Sequence, residues 1–234
     1  MKRLLLATTV LAVGAFANST ANADIIGTAL LTSDHCTGLC GPQDSFGTVQ
    51  VTDNGAGTLT FDVSLNNGNK WVSTGFPLSF GFSLNGDPTI TYTGLNTAIW
   101  DVVGTATNVQ TAGSYGLDGF GTFEYGVTCT ICNGGSNPQS VDLTFSITGS
   151  STLSLASFQL SVNPPGDTQA FFAADIISGL GGVGNTGLVD ASVLTVPGPV
   201  VGAGLPGLAG LLMLGLARMR RTREWWKRVA QASA

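Results

Sequence analysis

Four cysteines are the most distinctive chemical pattern in this 234-residue chain. They form two close pairs, Cys36 with Cys40 in HCTGLCG and Cys129 with Cys132 in CTIC. Disulfides are the first interpretation if the chain enters an oxidising compartment, since four cysteines usually pair there; zinc binding with His35 and a redox-active CxxC are the alternatives. Three connectivities are possible. Local pairing is slightly favoured by proximity, whereas cross-pairing would close a far longer loop.

Residues suited to acid–base or nucleophilic catalysis are scarce. His35 is the only histidine, so a Ser-His-Asp or Cys-His arrangement would have to use it. It neighbours a cysteine in a Gly-rich loop, where an exposed histidine is expected. Lys70 is expected to be a solubilising loop charge. Glycoside hydrolysis needs paired carboxylates, and Glu124, the candidate acid, is expected on the solvated face of a strand. We therefore assign no catalytic residue.

Acidic and amide side chains collect near the expected turns. Carboxylate and carbonyl oxygens bind Ca²⁺, but no EF-hand or repeat-type calcium motif is present. The same residue types are also what turns need. No metal or cofactor is assigned, and calcium remains a low-ranking alternative. Its candidate ligands are Asp53, Asp87 and Asp118, with Asn54, Asn66, Asn67 and Asn69 nearby.

Three aromatic residues lie near turns: Trp71, Trp100 and Tyr115. Large aromatic side chains usually contribute to a core, which is the first expectation for each of them. Exposed at loop ends, they would instead stack on sugar rings, and this is the basis of an alternative carbohydrate-binding function.

The charge is distributed very unevenly. Thirteen of the 14 acidic residues lie between Asp24 and Thr195, where Lys70 is the sole basic residue, so this part carries about −12 against −5 for the whole chain. Such a field repels nucleic acid and anionic lipid. Nucleic-acid binding is therefore excluded, whereas cations and neutral polymers remain compatible.

Alternating apolar and polar residues predict strand after strand. TVQVT and TLTFDVSL are expected to form a hairpin across Asp53–Gly57, and PLSFGFSL to turn at NGDP into TITYT. QAFFAADII, apolar on both faces, is expected to be a central strand. The recurrent turns predict an all-β, antiparallel, jelly-roll-like β-sandwich rather than a parallel α/β sheet. Further alternating sets are Phe123, Tyr125 and Val127; Val141, Leu143, Phe145 and Ile147; and Phe158, Leu160 and Val162.

The N-terminus has the pattern of a secretory signal peptide over residues 1–23. Lys2 and Arg3 precede the apolar run Leu4–Ala17, and ANA at residues 21–23 is a typical cleavage pattern. The run is too short to span a bilayer. The signal peptide implies the secretion translocon and signal peptidase as partners, and residues 24–195 as the exported domain.

The C-terminal region combines three features in a fixed order. A Val-Pro-Gly-Pro motif precedes 18 uncharged residues, Val200–Ala217, and a basic cluster follows. The run is long enough for one transmembrane helix, and the cluster would hold its end in the cytoplasm. A tail at 224–234 follows. The motif is Val196, Pro197, Gly198 and Pro199, and the cluster contains Arg218, Arg220, Arg221 and Arg223.

These features, over residues 196–223, resemble the PEP-CTERM sorting signal of Gram-negative bacteria. In that family a membrane protease-transpeptidase, the exosortase, is thought to process the protein beside the motif. Gly198 stands where typical members have Glu, and the chain resembles a glycine variant of the signal. The body is also similar to uncharacterised secreted PEP-CTERM proteins, through SDHCTGLCGPQ and GSYGLDGFGTFEYGV. A plain single-pass anchor is the alternative.

The resemblance implies a route. The chain would pass transiently through the inner membrane, lose its helix and tail to the exosortase, and reach the cell surface or the extracellular matrix. A non-enzymatic protein associated with exopolysaccharide or biofilm is the first expectation. A carbohydrate-binding adhesin is the second, and a secreted glycoside hydrolase is the third.

Overall fold

The computed structural model describes residues 25–162, 168–180 and 185–196. Within them the chain forms sixteen strands and a 3-10 turn at Leu155–Ser157, and every pairing between strands is antiparallel. The strands are β1 Ile25–Leu31, β2 Ser33–Cys36, β3 Gly47–Asp53, β4 Thr58–Leu65, β5 Lys70–Trp71, β6 Phe80–Leu84, β7 Ile90–Thr93, β8 Trp100–Val102, β9 Val109–Gln110, β10 Tyr115–Leu117, β11 Gly121–Phe123, β12 Tyr125–Cys129, β13 Leu143–Gly149, β14 Phe158–Gln159, β15 Phe172–Ile177 and β16 Thr186–Ala191.

The strands form two large sheets and one small ribbon. The six-stranded sheet has the order β1-β3-β4-β13-β7-β9. The eight-stranded sheet has the order β2-β16-β15-β6-β12-β8, with β14 and β5 paired to its middle strands. The ribbon is the hairpin β10-β11. The predicted all-β, antiparallel architecture is confirmed, and the two layers are consistent with a sandwich.

Aromatic side chains fill the space between the two sheets. Phe61 of β4 stacks on Phe145 of the same sheet with ring centroids 4.5 Å apart, and it also contacts Phe82 and Phe172 of the other sheet at 5.0 and 6.3 Å. These rings are almost completely buried. Because each aromatic ring removes a large apolar area from water, this cluster is the main source of attraction between the layers.

The predicted hairpin of β3 and β4 is confirmed. Asn54 N donates to the carbonyl oxygen of Thr58 at 3.2 Å, and the intervening Gly55 and Gly57 have φ of +74° and +76°. Apolar residues of both strands point into the core and the hydroxyl side chains point outward. Here the two-residue period of the sequence predicts which face is buried.

The central strands of the eight-stranded sheet are buried on both faces. All five residues of β6 are buried, since a second apolar cluster covers the outer face of this sheet. QAFFAADII provides β15, which lies between β16 and β6 as predicted for a central strand. The covering cluster consists of Leu78, Leu117, Phe120, Phe123, Ala170, Ala173 and Leu188. We call it the outer cluster.

In each of the three further alternating sets, at least one residue lies outside the core position that alternation predicts. Phe123 lies in the outer cluster whereas Tyr125 lies in the main core, because the chain breaks between β11 and β12. Val141 precedes β13 and is exposed. β14 ends at Gln159, so Leu160 and Val162 are exposed rather than core residues. In each case, alternation continues beyond the strand in the sequence but not in the fold.

One continuous segment joins the two sheets. After β1, Thr32 N donates to the carbonyl oxygen of Asp190 at 2.8 Å, and the chain continues as β2 at the edge of the other sheet. β1 is therefore held by β3, whereas β2 is held by β16, near the end of the described residues.

Candidate functional site

Both disulfides pair cysteines that are close in sequence. Cys36 bonds Cys40 and Cys129 bonds Cys132, and none of the four thiols is free. The local pairing favoured by proximity is the one present, and the cross-pairing is not. All four sulfurs are engaged and largely buried, so the arrangement supports neither the zinc nor the exposed redox alternative. Two disulfides are compatible with an oxidising environment.

His35 lies at an edge of the eight-stranded sheet without a catalytic partner arrangement. Its side chain is exposed, and its ring lies against Phe120 at 5.1 Å between centroids. Gly119 has φ of +87°, and a Cβ there would overlap the imidazole ring. His35 thus serves as a packing surface for the β10-β11 turn. Lys70 is exposed at the start of β5, where it forms part of a short strand instead of a loop.

Asp190 is the most unusual polar residue in the described part of the chain. It lies on the same side of β16 as Leu188, it is fully buried, and neither carboxylate oxygen has a hydrogen-bond partner among the described residues. Burial raises its pKa to about 6. Ser33 and His35 oppose this shift, but no donor reaches the oxygens in hydrogen-bonding geometry.

Asp175 is a second buried carboxylate on the same side of the sheet, and this one is paired. Thr74 donates to it through the backbone N at 2.7 Å and through Oγ1 at 2.8 and 3.0 Å. Burial raises the pKa of Asp175 to about 6, and the two Thr74 donors lower it. Sequence reasoning missed both aspartates. The available signal was an acidic residue inside a strand otherwise apolar on both faces.

Glu124 is not on a solvated strand face, so that expectation was wrong. It lies in the break between β11 and β12 and is partly buried, where Leu84 N and Gln159 Nε2 donate to it at 3.0 and 2.7 Å. Its pKa is raised, first by burial and also by the neighbouring Asp87 carboxylate. The strand break explains why alternation misplaced it.

The calcium candidates are distributed over separate turns. Asp53 accepts a hydrogen bond from Gly55 N at 2.9 Å inside the β3-β4 turn. Asp87, with φ of +49°, lies in the turn before β7, and Asp118 lies in the turn of β10-β11. Across the described ranges no group of three or more metal-ligating side chains is assembled. The bond within the Asp53 turn fits the turn interpretation.

The loop asparagines bind other protein groups. Asn69 Nδ2 donates to Gln43 Oε1 and to the carbonyl oxygen of Phe46, both at 2.9 Å, and Asn67 also donates to Gln43. Asn54 Nδ2 donates to Thr60 at 3.1 Å. These amides therefore hold loops to their neighbours.

Two of the three candidate sugar-stacking residues are core residues. Trp71 and Trp100 are buried edge-to-face with centroids 5.2 Å apart, and Trp71 Nε1 donates to the carbonyl oxygen of Val141. Neither offers a ring to a ligand. Tyr115 is partly exposed and lines a cleft of about 320 Å³ with Gly104, Gly113 and other uncharged residues.

Thr195 is held against the first strand of the body by a well-defined contact. Thr28 and Thr195 form an antiparallel bridge, with backbone hydrogen bonds of 2.9 and 2.8 Å and a third bond from Thr195 Oγ1 to the carbonyl oxygen of Thr28. Val196, the first residue of the predicted sorting motif, follows directly and is exposed. Residues near both ends of the body therefore lie side by side.

A groove of about 320 Å³ lies beside this bridge. It is lined by Thr28, Leu30, Thr32, Ser192, Val193 and Thr195, none of which is charged. Sequence reasoning did not single out these residues, because an exposed Leu or Val in a short segment has no distinctive pattern.

Comparison with protein-family models, curated proteins and solved structures found no match for this chain. Among the described residues there is no helix with the length and apolar character needed to cross a membrane. The predicted signal peptide, the motif residues Pro197, Gly198 and Pro199, the transmembrane run and the basic cluster lie outside the described residues.

Proposed function

We propose that this chain is an exported, non-enzymatic surface or matrix protein that is delivered by a C-terminal sorting signal of the PEP-CTERM type. The observation that carries the proposal is the Thr28–Thr195 bridge. It brings the start of the body, just after the predicted signal-peptide cleavage site, next to the start of the sorting motif. Because its two ends lie together, the body would be joined to the membrane segment at one place on its surface.

Chemistry on both sides of this point supports the same route. The two disulfides suit a compartment outside the cytoplasm. Beyond Val196 come two prolines, which lack backbone N–H groups and disfavour continuation of a strand, and then the 18 uncharged residues with their arginine cluster. The motif would therefore be an accessible tether between the body and the bilayer, within reach of an exosortase.

The candidate catalytic groups support a structural role. The His35 ring packs on Gly119 and Phe120, and Glu124 is held by Leu84 and Gln159. The body's net charge of about −12 favours a soluble surface and a neutral polymer such as an exopolysaccharide as neighbour. Within this proposal we class the fold as a jelly-roll-like sandwich.

Intact-mass analysis tests the route directly. In cells that contain an exosortase, we expect the native chain to lack both residues 1–23 and the C-terminal helix with its basic tail. Pro197→Ala combined with Pro199→Ala should leave the C-terminus attached, because the motif has lost its fixed extended shape. Gly198→Glu, which restores the residue of typical family members, should still be processed.

Pro138→Ala is the matched control, since it removes a proline elsewhere and should leave processing unchanged. A native chain that begins near Asp24 and extends to Ala234 would contradict processing and leave a plain membrane anchor. A chain that retains residues 1–23 in the cytoplasm would contradict export itself.

A further inference from the structure

Exposed apolar side chains surround the point where the body continues into the tether. Ile26 and Leu30 of β1 are 42% and 49% exposed, and Val193 and Val196 are 63% and 47% exposed. We call these four residues the exit patch. Leu30 and Val193 line the groove beside the Thr28–Thr195 bridge. Leu30 and Val193 thus form an exposed apolar wall of one groove, and clustered apolar exposure of this kind indicates a contact surface.

The surroundings of the exit patch restrict what can cover it. The groove has no charged lining residue, although the body as a whole carries about −12. An apolar, uncharged surface suits the boundary between lipid headgroups and acyl chains, where apolar side chains insert to a depth of about 5–10 Å. The charge of the rest of the body would oppose contact with anionic lipids.

The length of the tether brings this surface to the bilayer. Five residue steps separate Thr195, fixed on β1, from Val200, the first residue of the apolar run. Fully extended, they reach about 18 Å. Strand β1, with seven residues, is about 23 Å long. Since each headgroup layer is about 5–8 Å thick, the tether keeps Thr195 and the exit patch beside it within about 10–13 Å of the headgroups.

We propose that the exit patch docks on the outer surface of the lipid bilayer while the chain is anchored. This inference rests on the proposed function, because it needs the apolar run to span the membrane. Docking fixes the orientation of the body and holds the Val196–Pro199 motif at the membrane surface, where a membrane-embedded protease acts. The lipid partner is a neutral, zwitterionic surface such as phosphatidylcholine.

A pair of matched probes tests the docking. The full chain, without its signal peptide, is reconstituted in phosphatidylcholine vesicles after Leu30→Cys or Leu180→Cys substitution and labelling with an environment-sensitive fluorophore. Leu180 is the control because it is also highly exposed, at 57%. It lies beyond the opposite end of the β15-β16 pair from Ala191, about 20 Å away along the strand. A nitroxide near the lipid headgroups serves as the quencher.

We expect the nitroxide to quench the Leu30 probe, because insertion at the headgroup boundary places it beside the quencher, and to leave the Leu180 probe unaffected. If the chain resists alkaline extraction but the Leu30 probe is not quenched, docking is overturned and the proposed anchoring stands. Equal quenching of both probes also overturns it, since the body then has no preferred face. A chain that washes off the vesicles overturns both proposals.

Discussion

The outer faces of the two sheets are built in opposite ways. On the six-stranded sheet, Thr52, Thr60, Ser146 and Thr93 are direct neighbours across four strands, and none of them is buried. The Thr60 and Ser146 hydroxyls are 2.8 Å apart. On the eight-stranded sheet the corresponding face lies under the outer cluster. One sheet therefore has water on its outer side, and the other has protein on both sides.

The difference determines where a polar residue is costly. Asp62 lies on the solvated face and is exposed, where water hydrates its charge. Asp175 and Asp190 lie on the covered face, and only Asp175 has found hydrogen-bond donors. A buried, unpaired carboxylate costs free energy. On the covered face, the unpaired Asp190 therefore lowers the stability of the fold.

The largest expected effect comes from opening the covered face. Phe123→Ala removes a fully buried ring from the outer cluster, so we expect the free energy of unfolding to fall by about 3–5 kcal/mol. Thr144→Ala, at an exposed position on the solvated face, should change it by less than about 0.5 kcal/mol. Urea unfolding of both variants measures the contrast, and equal losses would show that the two faces do not differ as described.

A smaller loss of unfolding free energy is expected where the β10-β11 turn packs on the β2 edge of the eight-stranded sheet. In Gly119→Ala a Cβ would overlap the His35 ring at a φ of +87°, and we expect a loss of about 2–4 kcal/mol. Gly86→Ala is the matched control, because its φ is +78° and nothing lies within 4 Å. It should lose about 1 kcal/mol from backbone strain alone.

The two contributions at Gly119 can be separated. Adding His35→Ala to Gly119→Ala removes the overlap and should restore the free energy of unfolding to near the Gly86→Ala value. No recovery in the double variant would mean that overlap with the His35 ring is not the source of the additional loss.

The smallest expected effect is a gain in the free energy of unfolding instead of a loss, and it depends on pH. The pKa of Asp190 is raised from 3.8 to about 6, so the folded state favours its neutral form. The associated stability is fully present below pH 3.8 and is lost as the pH rises through about 6. Asp190→Asn should therefore stabilise the body by about 1–2 kcal/mol at neutral pH and have little effect near pH 4.

Asp62→Asn is the control for this measurement, since Asp62 is exposed on the solvated face. Thermal unfolding across the pH range compares the two variants. A gain that persists unchanged at pH 4 would show that the Asn side chain acts through packing and not through charge.

The contrast between the faces also explains what the sequence predicts well. Alternation predicted β3 and β4 correctly because one side of each strand meets water. It placed Phe123 in the wrong context, because both faces of the strands beneath it are apolar. Period-two patterns carry no information on which of two buried faces a side chain occupies.

Among the functional features, those built from neighbouring residues could be predicted from the sequence, and those built from distant residues could not. The cysteine pairing is local in sequence, so proximity favoured the right connectivity among three. The environment of Asp190 depends on β2, β15 and the outer cluster, which are distant in the chain. The exit patch depends on Thr28 meeting Thr195 across the whole body. Contacts of that separation leave no pattern in a short stretch of sequence.

The β1-β2 segment, which passes from one sheet to the other, has a consequence for the order of folding. Among the described strands β2 pairs with β16 alone, and β1 is bridged by Thr195, so both contacts need residues from the end of the body. Pairings between such distant residues form slowly, because the loop must close before they contribute. The chain is synthesised from its N-terminus. The β2 edge of the eight-stranded sheet therefore stays unpaired until residues 186–195 have been made. Completion of the fold and arrival of the Val196–Pro199 segment, the proposed sorting motif, are thus nearly simultaneous.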